Sequence, residues 1–334
     1  MNLNVKNYLK IRNILKKNNL PSHKEIFELT EKVSGILENE KTDCRQQAKD
    51  GSCGGLLSFP DDGLSLVVVP DLHARPYFLQ NIIDYKIDGK SIFELLSESK
   101  IRVLCVGDIL HTERNTWERW NAVKDEFESG IFTGPAISAE MQEGLSLLDG
   151  LLKLKQLFPK YFHILKGNHE NIMNVTGGGD YAFRKCADEG QMVKTFVEEY
   201  YGDDILYLIS CFEHALPLVA CVKNCVVSHA EPRFAFTKEQ IINAKFADGV
   251  IEGLTWTAND EAEEGTASAI IKNLLGSDSD ECVYLAGHRP VSGNYRLRQN
   301  GKFIQIHNPS KQNIAIVQSD KKFNPENDIV EVKK

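Results

Sequence analysis

The sequence predicts a mixed α/β (α+β) fold in which strands and helices alternate along the chain. Short apolar runs rich in β-branched residues, such as residues 66–69 and 101–106, predict strands buried on both faces. Between the predicted strands, apolar residues recur at helical spacing, as they do over residues 141–158. Strands buried on both faces need helices to cover them, so this order favours sheets packed between layers of helices.

Composition limits the classes of function. The chain has 334 residues, of which 42% are hydrophobic, and its formal net charge of −8 argues against a nucleic-acid-binding surface. The apolar runs are too short to span a membrane, and the first 20 residues lack the apolar core of a signal peptide. Eight cysteines show no framework spacing and no Cys-x-x-Cys pair. We therefore expect a reduced, cytoplasmic protein that binds neither nucleic acid nor membranes.

Residues 1–55 are expected to form a helical extension packed on the core. Residues 5–18 and 24–37 have helical spacing of apolar positions, and Pro21 with Ser22 supplies a break and a cap between them. The polar stretch 42–55 is predicted to be a loop.

The remaining residues, 56–334, are expected to form a single domain. At its start, residues 56–59 and 64–69 flank a turn of the sequence Pro-Asp-Asp-Gly, and we expect these two strands to pair with each other.

Polar side chains recur where the predicted strands end. In isolation each is weak evidence, because Asp-x-His arises by chance, Gly-Asp is commonly a turn, and a single histidine is commonly structural. The repetition is more informative, because carboxylate, imidazole and amide groups at one sheet edge are the ligands that two transition-metal ions need. The residues in these positions are Asp71, His73, Asp108, Asn168, His169, His229 and His288.

With five motifs in order, the chain resembles the calcineurin-like metallophosphoesterases, most closely the phosphoprotein phosphatase (Ser/Thr phosphatase-like) branch. The motifs are Asp-x-His at 71–73, Gly-Asp at 107–108, Gly-Asn-His-Glu at 167–170, the strand-ending His229, and Gly-His at 287–288. The resemblance extends from about residue 64 to residue 318. It implies a four-layer fold with a central β-sandwich flanked by helices, and a dimetal site at the carboxyl ends of the strands.

The resemblance also implies a role for each motif residue. One ion would be held by Asp71, His73 and Asp108, and Asp108 would bridge to a second ion completed by Asn168, His229 and His288. A metal-bound water or hydroxide would attack phosphorus in line, and His169 would protonate the leaving oxygen. Manganese is our first expectation for the ions, and this ligand set also accepts iron, zinc or nickel.

The chain departs from the family pattern around the phosphate. His111 stands where the family has the carboxylate that orients the acid histidine, and Thr112 stands where it has a phosphate-binding arginine. A second family arginine is missing from the stretch Asn-Asp-Glu-Ala at 259–262. We expect His111 to take over the orienting role, with a solvent-facing side chain as the alternative.

Residues 112–135 are predicted to be an insertion. The segment is rich in Arg and Trp and begins at a ligand-bearing loop, so we expect a cap over the site, with an inert surface insertion as the alternative. Arg114 or Arg119 would then supply the missing phosphate ligand. Arg289, beside His288, and Arg75, just after His73, are competing candidates.

The sequence therefore predicts a dimetal-dependent phosphatase that hydrolyses phosphate monoesters of a small molecule or a phosphoprotein. A phosphodiesterase or dinucleoside polyphosphate hydrolase on the same scaffold is the first alternative. A catalytically weak module that binds phosphorylated ligands is the alternative from another class. The absence of two arginines favours the binding module, whereas six intact ligands and His169 argue for the enzyme.

Overall fold

The computed structural model describes residues 3–40, 44–276 and 281–332. In chain order its strands are β1 (Arg45–Gln47), β2 (Cys53–Ser58), β3 (Ser65–Val69), β4 (Lys86–Ile87), β5 (Lys90–Ser91), β6 (Ile101–Cys105), β7 (Phe162–Ile164), β8 (Val219–Val222), β9 (Cys225–Ser228), β10 (Val283–Ala286), β11 (Arg296–Arg298), β12 (Phe303–Gln305), β13 (Asn313–Val317) and β14 (Ile329–Glu331). The helices are α1 (Leu3–Lys17), α2 (His23–Glu38), α3 (Pro76–Asp84), α4 (Ile92–Ser97), α5 (Thr116–Glu128), α6 (Pro135–Leu157), α7 (Glu189–Tyr201), α8 (Asp203–Ala215), α9 (Lys238–Ile242), α10 (Val250–Thr255), α11 (Thr266–Leu275) and α12 (Pro325–Asp328), with 3₁₀ turns at Ala244–Phe246 and Gln299–Gly301.

Two mixed sheets form the centre of the molecule. One has seven strands in the order β1-β2-β8-β9-β10-β12-β11, and the other has five in the order β14-β13-β3-β6-β7. Apolar residues from both sheets form one core cluster, so the sheets pack face to face as a β-sandwich. Helices α1 to α8 contribute to a second cluster with the five-stranded sheet, and α9 to α11 contribute to a third with the seven-stranded sheet. This arrangement confirms the predicted four-layer α/β fold.

Strand β3 shows how the sequence specifies the layers. Val67 and Val69 pack into the core beneath the helices, whereas Leu66 and Val68 pack into the core between the sheets. All four are at most 1% exposed. Burial of each such side chain contributes about 1.5–3 kcal/mol, which is why these four positions are all apolar.

The N-terminal helices lie where the apolar spacing predicts them. Ser22 caps α2 with a capping box, in which the Ser22 hydroxyl accepts a hydrogen bond from the backbone N–H of Glu25 and the Glu25 carboxylate accepts one from the backbone N–H of Ser22. The boundary at residue 55 falls inside β2, and the division into an extension and a domain remains a prediction. Among the described residues no helix is both long enough and apolar enough to cross a membrane.

The predicted pairing of strands 56–59 and 64–69 is wrong. β2 pairs with β1 and β8 in the seven-stranded sheet, whereas β3 pairs with β6 and β13 in the five-stranded sheet. The turn between them therefore carries the chain from one sheet to the other. Part of the predicted loop 42–55 is also strand, because β1 and the start of β2 lie within it.

The segment 112–135 contains α5, which packs against α6 and α7. Trp120 of α5 is fully buried, and its ring stacks on His111 with 5.1 Å between the ring centroids. The segment thus borders the ligand-bearing loop. A role for it as a cap over the site remains a prediction.

Candidate metal centre

The six predicted metal ligands lie together at the carboxyl ends of strands from both sheets. Asp71 and His73 follow β3, Asp108 follows β6 and Asn168 follows β7, all in the five-stranded sheet. The other two, His229 and His288, follow β9 and β10 of the seven-stranded sheet. β3, β6 and β7 run parallel to one another, as do β9 and β10, so their carboxyl ends meet at one edge of the sandwich.

One group of donor atoms surrounds the Asn168 side chain. Its Oδ1 atom lies 3.0 Å from His229 Nε2 and 3.0 Å from His288 Nδ1. The two imidazole nitrogens are 3.2 Å apart, and Asp108 Oδ2 lies 3.5 Å from His229 Nε2. This group corresponds to the second of the two predicted metal sites.

A second group shares Asp108 with the first. His73 Nε2 lies 3.6 Å from Asp108 Oδ2 and 3.9 Å from Asp71 Oδ1. The other oxygen of Asp108, Oδ1, accepts a hydrogen bond from the backbone N–H of His169 at 3.0 Å. Asp108 Oδ2 therefore lies between the two groups, as a bridging ligand requires, and is closer to His73 Nε2 and His229 Nε2 than Asp71 Oδ1, which is 3.9 Å from each.

The spacing of these donor atoms fits metal ions. Ligands at about 2.1 Å from one ion lie roughly 3.0–3.4 Å from one another in octahedral or tetrahedral geometry. The distances in the two groups, from the 3.0 Å between Asn168 Oδ1 and His229 Nε2 to the 3.9 Å between His73 Nε2 and Asp71 Oδ1, are close to that range. Carboxylate oxygen, amide oxygen and imidazole nitrogen form a donor set that manganese, iron, zinc and nickel accept.

Backbone carbonyls fix the orientation of two ligand histidines. His73 Nδ1 lies 3.0 Å from the carbonyl oxygen of His111, and His229 Nδ1 lies 3.0 Å from that of Val106. A carbonyl can only accept, so each Nδ1 carries the proton and each Nε2 has its lone pair directed into the cluster. Metal-binding histidines are usually held in this way.

The charge states of the cluster also favour cations. Burial lowers the pKa of His73 to about 4, so its imidazole is in the neutral form that binds metal. Burial raises the pKa of Asp108 well above its usual value, and the nearby carboxylates of Asp71 and Glu170 raise it further. Burial and the neighbouring carboxylates therefore disfavour a negative charge on Asp108, and a bound cation would offset this cost.

The ligand loops hold strained backbone conformations. His73, Asp108 and His288 have φ values of +42°, +52° and +62°, a region that costs non-glycine residues about 1–3 kcal/mol each. A Cβ atom added at Gly287 would clash with the Asp71 carboxylate, so this position has room only for glycine. Strain concentrated in this way is typical of a functional site.

Glu170 connects the two ligand-bearing loops that follow β6 and β7. Its carboxylate accepts hydrogen bonds from the backbone N–H groups of Gly167, Asp108 and Ile109 at 2.6, 2.9 and 2.8 Å. The side chain is buried, so these three charge-assisted bonds fix the loop after β6 against the loop after β7.

The two predicted catalytic histidines lie beside the cluster. His169 Nε2 is 3.7 Å from Asp108 Oδ2, its Nδ1 makes no hydrogen bond with a described residue, and its ring stacks on Phe183 at 4.4 Å. The ring of His111 lies 5.0 Å from that of His169 and is buried rather than facing solvent. His111 Nε2 lies 3.7 Å from Glu189 Oε1, a contact that the motifs did not indicate.

The four arginines proposed to bind phosphate have different surroundings in the structure. Arg119 does not reach the cluster, because its guanidinium pairs with Glu140 at 2.7 Å and Glu143 at 3.1 Å on α6. Arg114 is exposed at the surface, with its guanidinium over the ring of Tyr77.

Arg75 is buried, and its guanidinium is hydrogen-bonded to backbone carbonyl groups. It donates to the carbonyl oxygens of the residues Asp71, Leu72, Asn308, Pro309 and Lys311. It therefore braces two loops and is not available to a phosphate. Arg289 adjoins His288, and its buried Nε makes no hydrogen bond with a described residue, whereas the Nε of Arg119 is paired with Glu140.

Two residues of the cluster were not identified from the motifs. His307 Nδ1 lies 3.5 Å from Asp71 Oδ2, and Glu113 Oε2 lies 3.6 Å from His73 Nε2. His307 follows a buried strand, β12, in the same way as the predicted ligands, so the pattern that identified His229 and His288 could also have identified it.

A solved structure of another protein shares this architecture. No family model matches the chain, and no curated protein matches it in sequence. A protein serine/threonine phosphatase from Saccharomyces cerevisiae with similarity to human phosphatase PP5 superposes with a TM-score of 0.54 at 14% identity, covering 93% of this chain and 89% of that chain. A cold-active protein-tyrosine phosphatase from a psychrophilic Shewanella gives a TM-score of 0.47 at 13% identity, covering 86% and 83%. The fold assignment rests on the first of these and on the four layers described above: the chain has the calcineurin-like metallophosphoesterase fold.

Proposed function

We propose that this protein is a dimetal-dependent phosphatase that hydrolyses phosphate monoesters. The observation that carries the proposal is the convergence of the six predicted ligand side chains from five strand ends, with Asp108 Oδ2 shared between two donor groups. The fold alone does not determine the reaction, since one fold can host many functions. The ligand geometry and the position of His169 are therefore the basis of the proposal.

Bound ions would activate water as a nucleophile and neutralise charge on the phosphoryl oxygens. The protein supplies the other groups. His169 stands next to the shared carboxylate, with Phe183 packed flat against its ring, and it donates the proton that the leaving oxygen needs. His111, backed by Glu189, lies against the ring of His169 and limits its movement, so we assign His111 a positioning role.

An open pocket of about 1050 Å³, lined by Phe183 and Lys185 and by none of the proposed metal ligands, would receive the organic part of the substrate. Phe183 and Lys185 also contact the site, Phe183 through His169 and Lys185 through a 3.0 Å ion pair with Glu113. Lys124 and Arg184 also line the pocket. Glu128 and Asp188 line the pocket as well, and Lys124 pairs with Glu128 at 3.5 Å, so the charges of the lining indicate no preference for a charged organic group.

The central experiment measures phosphate release from an aryl phosphate by metal-free protein and by protein reloaded with Mn²⁺. We expect turnover only in the reloaded sample, with loss on addition of EDTA. A protein that binds the aryl phosphate stoichiometrically in the presence of Mn²⁺ without releasing phosphate would be a binding module. Preference for a bis-aryl phosphate over the monoester would indicate the phosphodiesterase alternative.

We propose that Arg289, rather than an arginine of the insertion, binds the phosphate group of the substrate. Arg289→Ala should lower kcat/KM by about 10- to 100-fold, because a charge-assisted contact with a phosphoryl oxygen is worth about 1.5–3 kcal/mol. Arg289→Lys should restore only part of this, since an ammonium group cannot form the bidentate contact.

Arg119→Ala is the matched control, because its guanidinium is held by Glu140 and Glu143, and we expect it to leave kcat/KM within a few-fold of wild type. The effects of Arg114→Ala and Arg289→Ala together show whether the insertion or Arg289 supplies the arginine that binds phosphate. If Arg114→Ala lowers kcat/KM and Arg289→Ala does not, the assignment of Arg289 is wrong and a capping role for residues 112–135 gains support.

A further inference from the structure

His307 lies inside the donor group of the first metal site. It is fully buried at the end of β12, and its Nδ1 atom is 3.5 Å from Asp71 Oδ2. Its ring centroid is 5.3 Å from that of His73, and one donor atom from each of Asp71, His73 and His307 lies within 4.8 Å of the other two. These separations are compatible with donors around a common ion.

The other ring nitrogen of His307 is held by a carboxylate. His307 Nε2 lies 2.8 Å from Glu113 Oε2, and Glu113 Oε1 lies 3.0 Å from Lys185 Nζ. An ionised carboxylate accepts hydrogen bonds and cannot donate them, so Nε2 carries the proton and Nδ1 has the lone pair. A carboxylate that holds the far nitrogen of an imidazole is the arrangement found behind metal-binding histidines.

His307 Nδ1 is buried and makes no hydrogen bond with any described residue. A buried acceptor without a partner is destabilising, and a ligand bound to it would remove that cost. The Asp71 carboxylate lies 3.5 Å from Nδ1, so this nitrogen faces the donor group where the first ion is expected.

We propose that His307 is a fourth side-chain ligand of the first metal ion, and that Glu113 orients it. The proposal rests on the dimetal function proposed above. With His307, each ion has four side-chain ligands, because the second is surrounded by Asp108, Asn168, His229 and His288. The added imidazole also gives the first site a second nitrogen donor, which shifts its preference from magnesium toward zinc, iron or nickel.

The test measures metal binding rather than activity. The probes are Mn²⁺ and Co²⁺ added to metal-free protein, followed by calorimetry, by metal analysis after dialysis, and by the visible absorption of the Co²⁺ form. We expect His307→Ala to retain about one equivalent of metal where wild type retains about two. The Co²⁺ spectrum should lose the contribution of one site and keep the other.

Glu113→Gln gives a second measurement, because it keeps a side chain of the same shape and removes the charge. We expect it to bind two ions, with the affinity of one site lowered by about 10- to 100-fold, the usual effect of losing an outer partner. His214→Ala is the matched control. His214 lies on α8, where Nδ1 contacts Ser210, and its loss should leave both affinities unchanged.

Two equivalents of metal bound by His307→Ala with wild-type affinities would overturn the proposal and leave the dimetal function intact. If circular dichroism shows that metal-free His307→Ala does not fold, the metal affinities of Glu113→Gln test the proposal instead. Unchanged affinities at both sites of Glu113→Gln would then overturn it. Failure of wild type itself to bind metal would instead overturn the dimetal function, and with it the role of His307.

Discussion

Replacing Asp108 by asparagine should remove turnover and weaken the binding of both ions. Asp108 Oδ2 lies 3.6 Å from His73 Nε2 and 3.5 Å from His229 Nε2. It is closer to both nitrogens than Asp71 Oδ1, which lies 3.9 Å from each. The substituted amide would keep the shape of the side chain but carry no charge, and only one of its two terminal atoms could bind a cation. We expect metal affinity to fall by more than the ~100-fold that loss of an outer partner costs.

The measurement combines metal analysis after dialysis with initial rates on an aryl phosphate. Asp149→Asn is the control, because Asp149 is a partly buried carboxylate on α6 whose ionic neighbours, Glu25, Lys10 and Lys153, lie outside the cluster. It should keep both metal and rate. Asp108→Asn protein with two ions and a wild-type rate would rule out Asp108 as the bridge.

Replacing His169 by alanine should have an effect that depends on the leaving group. An alkoxide is a poor leaving group and needs a proton, so hydrolysis of an alkyl phosphate should fall by about 10²- to 10⁴-fold. An aryl oxide leaves with little protonation, so hydrolysis of an aryl phosphate should fall much less. His169 Nδ1 and Nε2 make no side-chain hydrogen bond with the proposed ligands, and we therefore expect both ions to remain bound.

The comparison requires kcat on both substrate types and the metal content of the same preparations. Phe183→Leu is an informative companion, since it removes the ring that packs on His169 and keeps the imidazole. We expect it to show the same leaving-group dependence as His169→Ala in weaker form. Equal losses on alkyl and aryl phosphates for His169→Ala would exclude the acid role.

The position of the six ligands could be predicted from the sequence because of how parallel strands are arranged. Each of Asp71, Asp108 and Asn168 closely follows a run of buried apolar residues, and the carboxyl ends of such strands meet at one edge. Sheet membership could not be predicted in the same way. β2 and β3 are both apolar on two faces, so their patterns do not say which strand lies beside which, and the short turn between them suggested a hairpin that does not form.

The roles of the arginines could not be predicted, because they depend on contacts between segments that are separate in the sequence. Arg75 is held by carbonyl groups more than 230 residues away, at Asn308 and Lys311. Arg119 of α5 is held by two glutamates on the next helix, α6. The position of His307 could have been predicted, since it follows a strand as the six proposed ligands do, although it belongs to none of the five family motifs.

The central claim, that this chain holds two metal ions on the six side chains, is tested most directly by a crystal structure of the Mn²⁺-loaded protein with anomalous diffraction data. The account predicts two anomalous peaks about 3.5–4 Å apart, with Asp108 bound to both. Donor atoms of Asp71 and His73 should lie ~2.0–2.3 Å from one ion, and those of Asn168, His229 and His288 at the same distance from the other. A single peak, or two peaks with His229 and His288 far from either, would contradict the two-metal account.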